Sequence, residues 1–435
     1  MNTNYRMLGI FGLTLGLALA SEAFADNAVA AWNVVLESTL SSVPTPRKNV
    51  VALPYAAYVN VAMYDAVNSI DGRYQPFAVS VNAPQGASED AAAASAAHDV
   101  LVYYATNKLG ATSATLATLD AALATSLAAI PAGTSKTDGI NVGKSVAAQW
   151  LALRAGDGLE AAVTYTPGSG PGVWAPVPPF PPPVGVWLRQ FRPFALDSAD
   201  QFLDQVHPPL KLTSTAWARD FNLTKTYGAK TGSARSDLQT EIGLFWTDSV
   251  VPQYGRTIRG LIGSQGLDTA ASARLFAMIA VAVSDAGTAC MNAKYHFAFW
   301  RPYAAIHEAD TDNNPGTVVD PNWLPLAVTP GHPEYPANHG CVTQAFANAL
   351  TAFFKTDESP YTVSSDVTGT SHSFISFADV VREVDTARIY GGMHFRHSVD
   401  EGNRLGRMVT RSIFKKHFRL KDAKESEEAA EAAED

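Results

Sequence analysis

Apolar residues recur at helical spacing along most of the chain, and the strict alternation that marks a half-buried strand is sparse. Asn27 to Ser41, Pro54 to Ile70, Glu89 to Lys108, Ser113 to Ile130 and Ser135 to Gly156 each read as helix. So do Thr213 to Tyr227, Arg235 to Trp246, Thr257 to Ser264, Asp268 to Trp300, His339 to Phe354, Phe377 to Tyr390 and Ser398 to Phe418. Between these two series lies Tyr165 to Pro193, a run of proline and glycine that cannot be regular helix. Its aromatic residues Trp174, Phe180, Trp187 and Phe191 predict that it packs over the body rather than swinging as a linker. No internal repeat at a fixed period is visible. The pattern predicts an all-α fold of helical bundles with long Pro/Gly-rich connecting loops.

The organisation that follows has five parts. Residues 26–166 form an N-terminal helical part, 167–209 a connector packed on the body, and 210–420 a C-terminal bundle. Residues 421–435 are acidic and read as a disordered tail. Residues 1–25 read as a secretory signal peptide: Arg6 supplies the positive charge, Met7 to Ala20 the short apolar run, and Ala23-Phe24-Ala25 the cleavage site. The expected location is therefore periplasmic or secreted, after cleavage near Ala25. No other apolar run approaches the roughly 18 residues of a spanning helix, so no membrane span is expected after cleavage.

Composition narrows the chemistry. A net charge of −9 argues against nucleic acid as a partner. Two cysteines, Cys290 and Cys341, make neither a disulfide framework nor a zinc ribbon; they can pair with each other or stand as two buried thiols. Ten histidines are present, and two of them, His332 and His339, fall in one proline-rich loop, TPGHPEYPANHGCVTQAF, that runs into an apolar helix. The first N–H groups of a helix lack internal partners and favour an anion.

Basic residues in two other segments fit the same ligand. Lys294 and Arg301 are seven apart in a mostly apolar helical run that Pro302 stops, which predicts that both leave one helical face. Two cations in such surroundings call for anionic partners. In DTARIYGGMHFRHSVDEG, Arg388 can offer a bidentate fork to an oxyanion and His394 a ring nitrogen, with Gly391-Gly392 between them to turn the backbone. Together these segments suit a phosphate-type oxyanion held by three cations. One histidine attacks or coordinates it, and another passes a proton.

The pattern Lys294…Arg301-Pro302, then Pro336-Ala337-Asn338-His339, then Ala387-Arg388…His394 resembles the vanadium-dependent haloperoxidases and their relatives, the type 2 phosphatidic acid phosphatases. Outside these blocks, PYAAYVNVAMYDAVNSIDGRYQPF, PFALDSADQF and LFWTDS resemble the bacterial haloperoxidase-like branch. The resemblance implies helical bundles around a single oxyanion site. It implies vanadate bound axially by His394, with Lys294, Arg301, Asn338 and Arg388 around its oxygens. His339 is then the acid/base, and hydrogen peroxide with a halide or organic substrate the reactants. His332 stands where the family varies with halide, and histidine there favours bromide. The phosphatase branch implies instead a metal-free acid phosphatase acting on a phosphate ester, with His394 forming a phosphohistidine. A homo-oligomer is compatible with either.

Four positions depart from the family pattern. Ala337 and Ala387 replace motif serines, Asn338 replaces a glycine, and Ser398 stands where an aspartate often follows the axial histidine, with Asp400 two residues on. Each lost hydrogen bond to a charged group is worth on the order of 1.5–3 kcal/mol. A degenerate oxyanion-binding protein is therefore a third reading. Glu334, Asp285 and Trp300 are candidates for a supporting shell, and His296 and His397 lie near the motifs in sequence.

Overall fold

The computed structural model describes residues 27–176 and 182–421. The signal peptide, Phe180 of the connector and the acidic tail beyond Lys421 lie outside the described residues. Helices dominate. The first half holds α1 (Ala28–Ser42), α2 (Leu53–Asp71), α3 (Glu89–Asn107), α4 (Ser113–Ala128) and α5 (Thr134–Leu153). The second holds α6 (Thr215–Gly228), α7 (Asp237–Phe245), α8 (Val250–Gln265), α9 (Thr269–Phe297), α10 (Pro302–His307), α11 (Asn338–Phe354), α12 (Phe377–Tyr390) and α13 (Arg396–Lys416).

Local chemistry sets many of these boundaries. Asn27, Ser88, Thr112, Ser214, Ser236 and Asp268 each accept a hydrogen bond from a first-turn N–H with the side chain. Gly72 ends α2 in the left-handed region, at φ 74°. In the first half, the alanine-rich face of α3 meets Gly139 and Gly143 of α5. A Cβ at either glycine would lie 2.3 Å from a carbonyl oxygen of the facing chain, so only glycine permits this approach.

The long helices α2 and α9 pack on each other and carry the core. One apolar cluster runs from Val29 to Phe418 through both halves. By length and composition both helices could cross a membrane, which corrects the reading that no such run follows the N-terminal segment; both are largely buried within the body.

Each long helix grips a loop with one buried aspartate. Asp65 of α2 accepts the N–H groups of Phe77, Ala78 and Val79 at 2.6, 3.1 and 2.9 Å. Asp285 of α9 accepts those of Phe194, Ala195 and Leu196 at 2.8, 2.7 and 3.0 Å. Both loops read Pro-Phe-Ala-aliphatic, so the two halves use the same device although no period links them. Asp285 thus anchors the segment after the Pro-rich run, and does not stand behind the candidate site.

The structure corrects three local readings. Helix α9 stops at Phe297 rather than Trp300; Ala298 turns into the left-handed region at φ 46°, and Arg301 caps the separate α10. The cause is Pro302, which disfavours helical backbone in the residue before it. Helix α8 begins at Val250, ahead of the expected Thr257, because Pro252 sits in the first turn, where its missing N–H breaks no bond. A hairpin, β1 (Glu358–Ser364) with β2 (Ser371–Ser376), follows α11. Ser359, Tyr361 and Val363 alternate inward along β1, a short period-two signal diluted by serine.

Candidate active site

Three backbone features bring the basic segments together. The break at Ala298 lets Arg301 return toward Lys294, so the pair meets across a turn rather than along one helical face. The turn between α12 and α13 carries Gly392 at φ 70°, where a Cβ would lie 2.5 Å from the Gly228 carbonyl oxygen. That wedge fixes the backbone that delivers His394. Helices α11 and α13 cross backbone to backbone: Cβ atoms at Gly340, Gly402 and Gly406 would fall 2.8, 2.4 and 2.5 Å from the carbonyl oxygens of Val399, Ala337 and Cys341.

Lys294, Arg301 and Arg388 are 0%, 2% and 1% exposed. Lys294 Nζ donates to the carbonyl oxygens of Pro333 and Glu334 at 2.9 and 2.8 Å. Arg301 donates through Nε to the His332 carbonyl (2.9 Å), through Nη1 to the Met393 carbonyl (2.8 Å), and through Nη2 to His332 Nδ1 (2.9 Å). Arg388 donates to the Trp246 carbonyl at 2.8 Å. Among the described residues, none of the three is in ion-pair contact with a carboxylate, whereas the buried Arg154 meets Asp157 at 2.8 Å. Three buried cations with only the nearby Glu334 carboxyl to set against them are costly to hold.

His394 completes the cluster. Its Nδ1 meets Glu334 Oε1 at 2.8 Å, and the same oxygen accepts the Phe395 N–H at 3.0 Å. With Nδ1–H donating to that carboxylate oxygen, the Nε2 lone pair faces inward, 3.2 Å from Arg301 Nη1. Burial, then Arg301, Lys294 and Arg388, push the His394 imidazole well below its ordinary pKa, so the ring is neutral and nucleophilic. Burial also raises the Glu334 carboxyl to about 7 and lowers Lys294 to about 7 and Arg388 to about 9.

His339 sits in the first turn of α11, half-buried, its ring free of hydrogen bonds among the described residues. Burial, then Arg388, Lys294 and Arg301, hold it well below its ordinary pKa. Asn338 opens the helix, but Ala337 before it gives no side-chain cap. Ala337 instead packs on Ile389 and Val399. His332 is buried and joins the cluster through Arg301. Its imidazole is likewise held well below its ordinary pKa by burial, Lys294 and Arg301.

The other candidates go elsewhere. His296 is exposed, with its ring against Phe297. His397 stacks on Tyr335 with ring centres 5.4 Å apart, and its Nε2 meets the Pro208 carbonyl. Asp400 is exposed. The residue that orients His394 is Glu334, which sequence reasoning named without a role. A signal existed: Glu334 is the sole acidic residue between Asp320 and Asp357. Trp246 gave none, because it holds Arg388 through its backbone carbonyl.

A phosphate-type oxyanion fits this donor set. Besides the three cations, Trp300 Nε1, Asn338 Nδ2 and Arg388 Nε are buried without a hydrogen-bond partner. Tetrahedral oxygens could accept from such donors, and His394 Nε2, which accepts from Arg301 Nη1 in this structure, would be the nitrogen that holds the group.

Two expected results test the site. Glu334→Gln keeps an acceptor for Nδ1 and for the Phe395 N–H but removes the charge. It should leave the fold intact and lower activity by about 10–100-fold, the range seen when the outer partner of a ligating histidine is lost. Steady-state kinetics on the purified variant decide this; unchanged activity takes Glu334 out of the orienting role. The second concerns pH. Above about 7 the free site's Lys294 is neutral and must gain a proton to pair with an anion. Sulfate keeps one charge state through this range, so its affinity should fall about tenfold per pH unit above neutrality. Calorimetric titration in buffers of different ionisation enthalpy reports that proton; an affinity independent of pH rules out Lys294 as the linked group.

Known proteins resemble this chain in sequence and fold. Residues 274–423 match the family model of the second helical-bundle domain of vanadium chloroperoxidase. Vanadium chloroperoxidase of Curvularia inaequalis is 29% identical over a stretch covering 30% of this chain and 26% of its own length, so the chain matches about a quarter of that relative. Two solved folds are similar across nearly the whole molecule. A bacterial vanadium-dependent iodoperoxidase superposes with a TM-score of 0.74 at 22% identity, covering 90% of this chain and 97% of its own. A bacterial vanadium-dependent chloroperoxidase in its holo form gives 0.66 at 15% identity, covering 87% and 96%.

Proposed function

We propose that this chain, similar to vanadium chloroperoxidase over residues 274–423 and to bacterial vanadium-dependent peroxidases in fold, is an exported enzyme of that superfamily that oxidises halide with hydrogen peroxide at a vanadate held by His394. The observation that carries this reading is a cluster of three buried cations, none paired with a carboxylate, around a histidine that Glu334 fixes through Nδ1 and whose Nε2 accepts from Arg301 Nη1 at 3.2 Å.

Lys294, Arg301 and Arg388 hold the oxygens of the anion, with Asn338 and the open N-terminus of α11 beside them. Vanadate, when bound, supplies the Lewis acidity that activates peroxide toward a halide. Neutral His339 takes a proton from the incoming peroxide and returns it to the departing oxygen. Arg301 spends Nε and Nη2 on His332, which leaves less donor capacity for the anion. A less strongly activated oxidant suits a halide easier to oxidise than chloride, and bromide is the proposed substrate. Export rests on the sequence of residues 1–25 alone.

The Glu334–His394 pair also supports a second reading, a metal-free phosphatase in which Nε2 attacks phosphorus. A site shaped for one trigonal-bipyramidal centre binds the other. One preparation assayed with and without orthovanadate separates them. Bromide- and peroxide-dependent halogenation of a dye that appears only with vanadate, with aryl phosphate hydrolysis suppressed, is the expected result. Phosphate hydrolysis that vanadate inhibits, without halogenation, replaces the first reading by the second. Inactivity in both assays leaves a degenerate anion binder.

A further inference from the structure

Two thiols stand directly behind the loop that carries Asn338 and His339, and the proposed chemistry uses neither. Cys290 lies on α9 one turn before Lys294, and Cys341 in the first turn of α11. Both are free and fully buried. The Cys290 thiol donates to the Pro336 carbonyl oxygen at 3.5 Å, immediately before Ala337. The Cys341 N–H donates to the Ala337 carbonyl oxygen at 3.2 Å, so the two cysteines hold consecutive residues of the loop and their thiols are neighbours. Asn338, the residue after Ala337, opens α11 beside the anion site.

We propose that Cys290 and Cys341 are a redox modification site, a dithiol that closes to a disulfide under hydrogen peroxide and weakens the hold of the adjacent loop on an oxyanion. The oxidant comes from the proposed function, in which hydrogen peroxide is a reactant at the anion site that Asn338 adjoins. One cysteine sulfur attacks a peroxide oxygen; the O–O bond breaks, and hydroxide leaves with the thiol proton as water. The sulfenic acid so formed is attacked by the second sulfur, its S–O bond breaks, and a second water departs. Two thiols are oxidised to one disulfide, and one hydrogen peroxide is reduced to two waters. The bridge removes the S–H donor from the Pro336 carbonyl and ties α9 to the first turn of α11.

The test uses the full chain, first reduced and freed of reductant, with neither halide nor vanadate present. After exposure to hydrogen peroxide it is denatured, alkylated and mapped by mass. The expected result is joint loss of both alkylatable thiols, a linked peptide pair containing Cys290 and Cys341, and reversal by dithiothreitol. Cys341→Ser should stop at a sulfenic acid that dimedone traps; if that variant does not fold, the wild-type map still decides. Orthovanadate should bind the bridged form about tenfold more weakly, the effect of one hydrogen bond removed from the loop. Thiols that stay alkylatable, oxidation of single sulfurs without a bridge, or a bridge that leaves orthovanadate affinity unchanged each overturn the proposal. Because the readouts are thiol mass and anion affinity, absence of halogenation leaves this result standing.

Discussion

His394→Ala is expected to abolish turnover in either chemical reading while the bundle stays folded. The ring provides the one lone pair that faces the three cations, and its other nitrogen is already committed to Glu334. The other rings do not take its place: His332 Nδ1 is held by Arg301, His397 is stacked on Tyr335 outside the cluster, and His339 lacks the Glu334 partner that orients His394. Loss of a nucleophile or axial ligand lowers rates by about three orders of magnitude or more. The fold should tolerate the change. A buried truncation of this kind costs about 1–3 kcal/mol, against a total of roughly 5–15 kcal/mol for a typical domain. Glu334 also keeps the Phe395 N–H as a partner. Circular dichroism melting with both activity assays checks the pair of outcomes. A folded variant with wild-type turnover removes His394 from the site.

The contrast between Lys294, Arg301 and Glu334 shows what a sequence can and cannot convey here. The two cations were legible because apolar surroundings make charge conspicuous, and burying it demands a reason. Their mutual arrangement was misread, since periodicity continues through Phe297 to Trp300 while the backbone does not. Only the left-handed turn at Ala298 shows that the pair meets across a break. Glu334 was legible as a lone acid in a proline-rich loop, but its partner is 60 positions away along the chain, a distance over which no spacing rule operates. The Trp246 carbonyl that holds Arg388 was invisible, because a backbone atom leaves no residue-type signal. Helical class followed from the 3.6-residue period over long segments, whereas the hairpin after α11 is too short and too serine-rich to assert a period of two.

Three of the four departures from the family pattern look different once placed. Ala337 packs in an apolar contact with Ile389 and Val399, so a hydroxyl there has no free space aimed only at an anion. Ser398 does not orient His394; its hydroxyl donates to the Glu334 carbonyl, while the Glu334 carboxylate takes over the orienting bond. Asn338 brings a side-chain amide whose nitrogen is buried without a partner. Where the resemblance implies hydroxyl donors, this site presents an amide at Asn338 and a carboxylate at Glu334 beside Lys294, Arg301 and Arg388.

His339→Ala should separate binding from chemistry, which the His394 variant cannot do. His339 makes no hydrogen bond to the cations or to Glu334 among the described residues, and burial together with the three cations keeps it neutral near pH 7. A neutral ring adds no charge to the anion site, so its removal should leave orthovanadate affinity within about threefold of wild type. Turnover should fall by about 10²–10⁴-fold, the range for a lost general acid–base group. The sign of the pH effect follows from the same depression: in the wild type the ring is already a competent base at neutral pH, and activity should drop only when acid protonates it well below its ordinary pKa. The alanine variant should lose that acid limb. Anion titration beside a pH–rate profile measures both quantities on one sample. Equal loss of affinity and rate would mean that His339 helps to hold the anion, and the proton would then have to be carried by another group facing the pocket, for which His332, already bonded to Arg301, is the nearest geometric alternative.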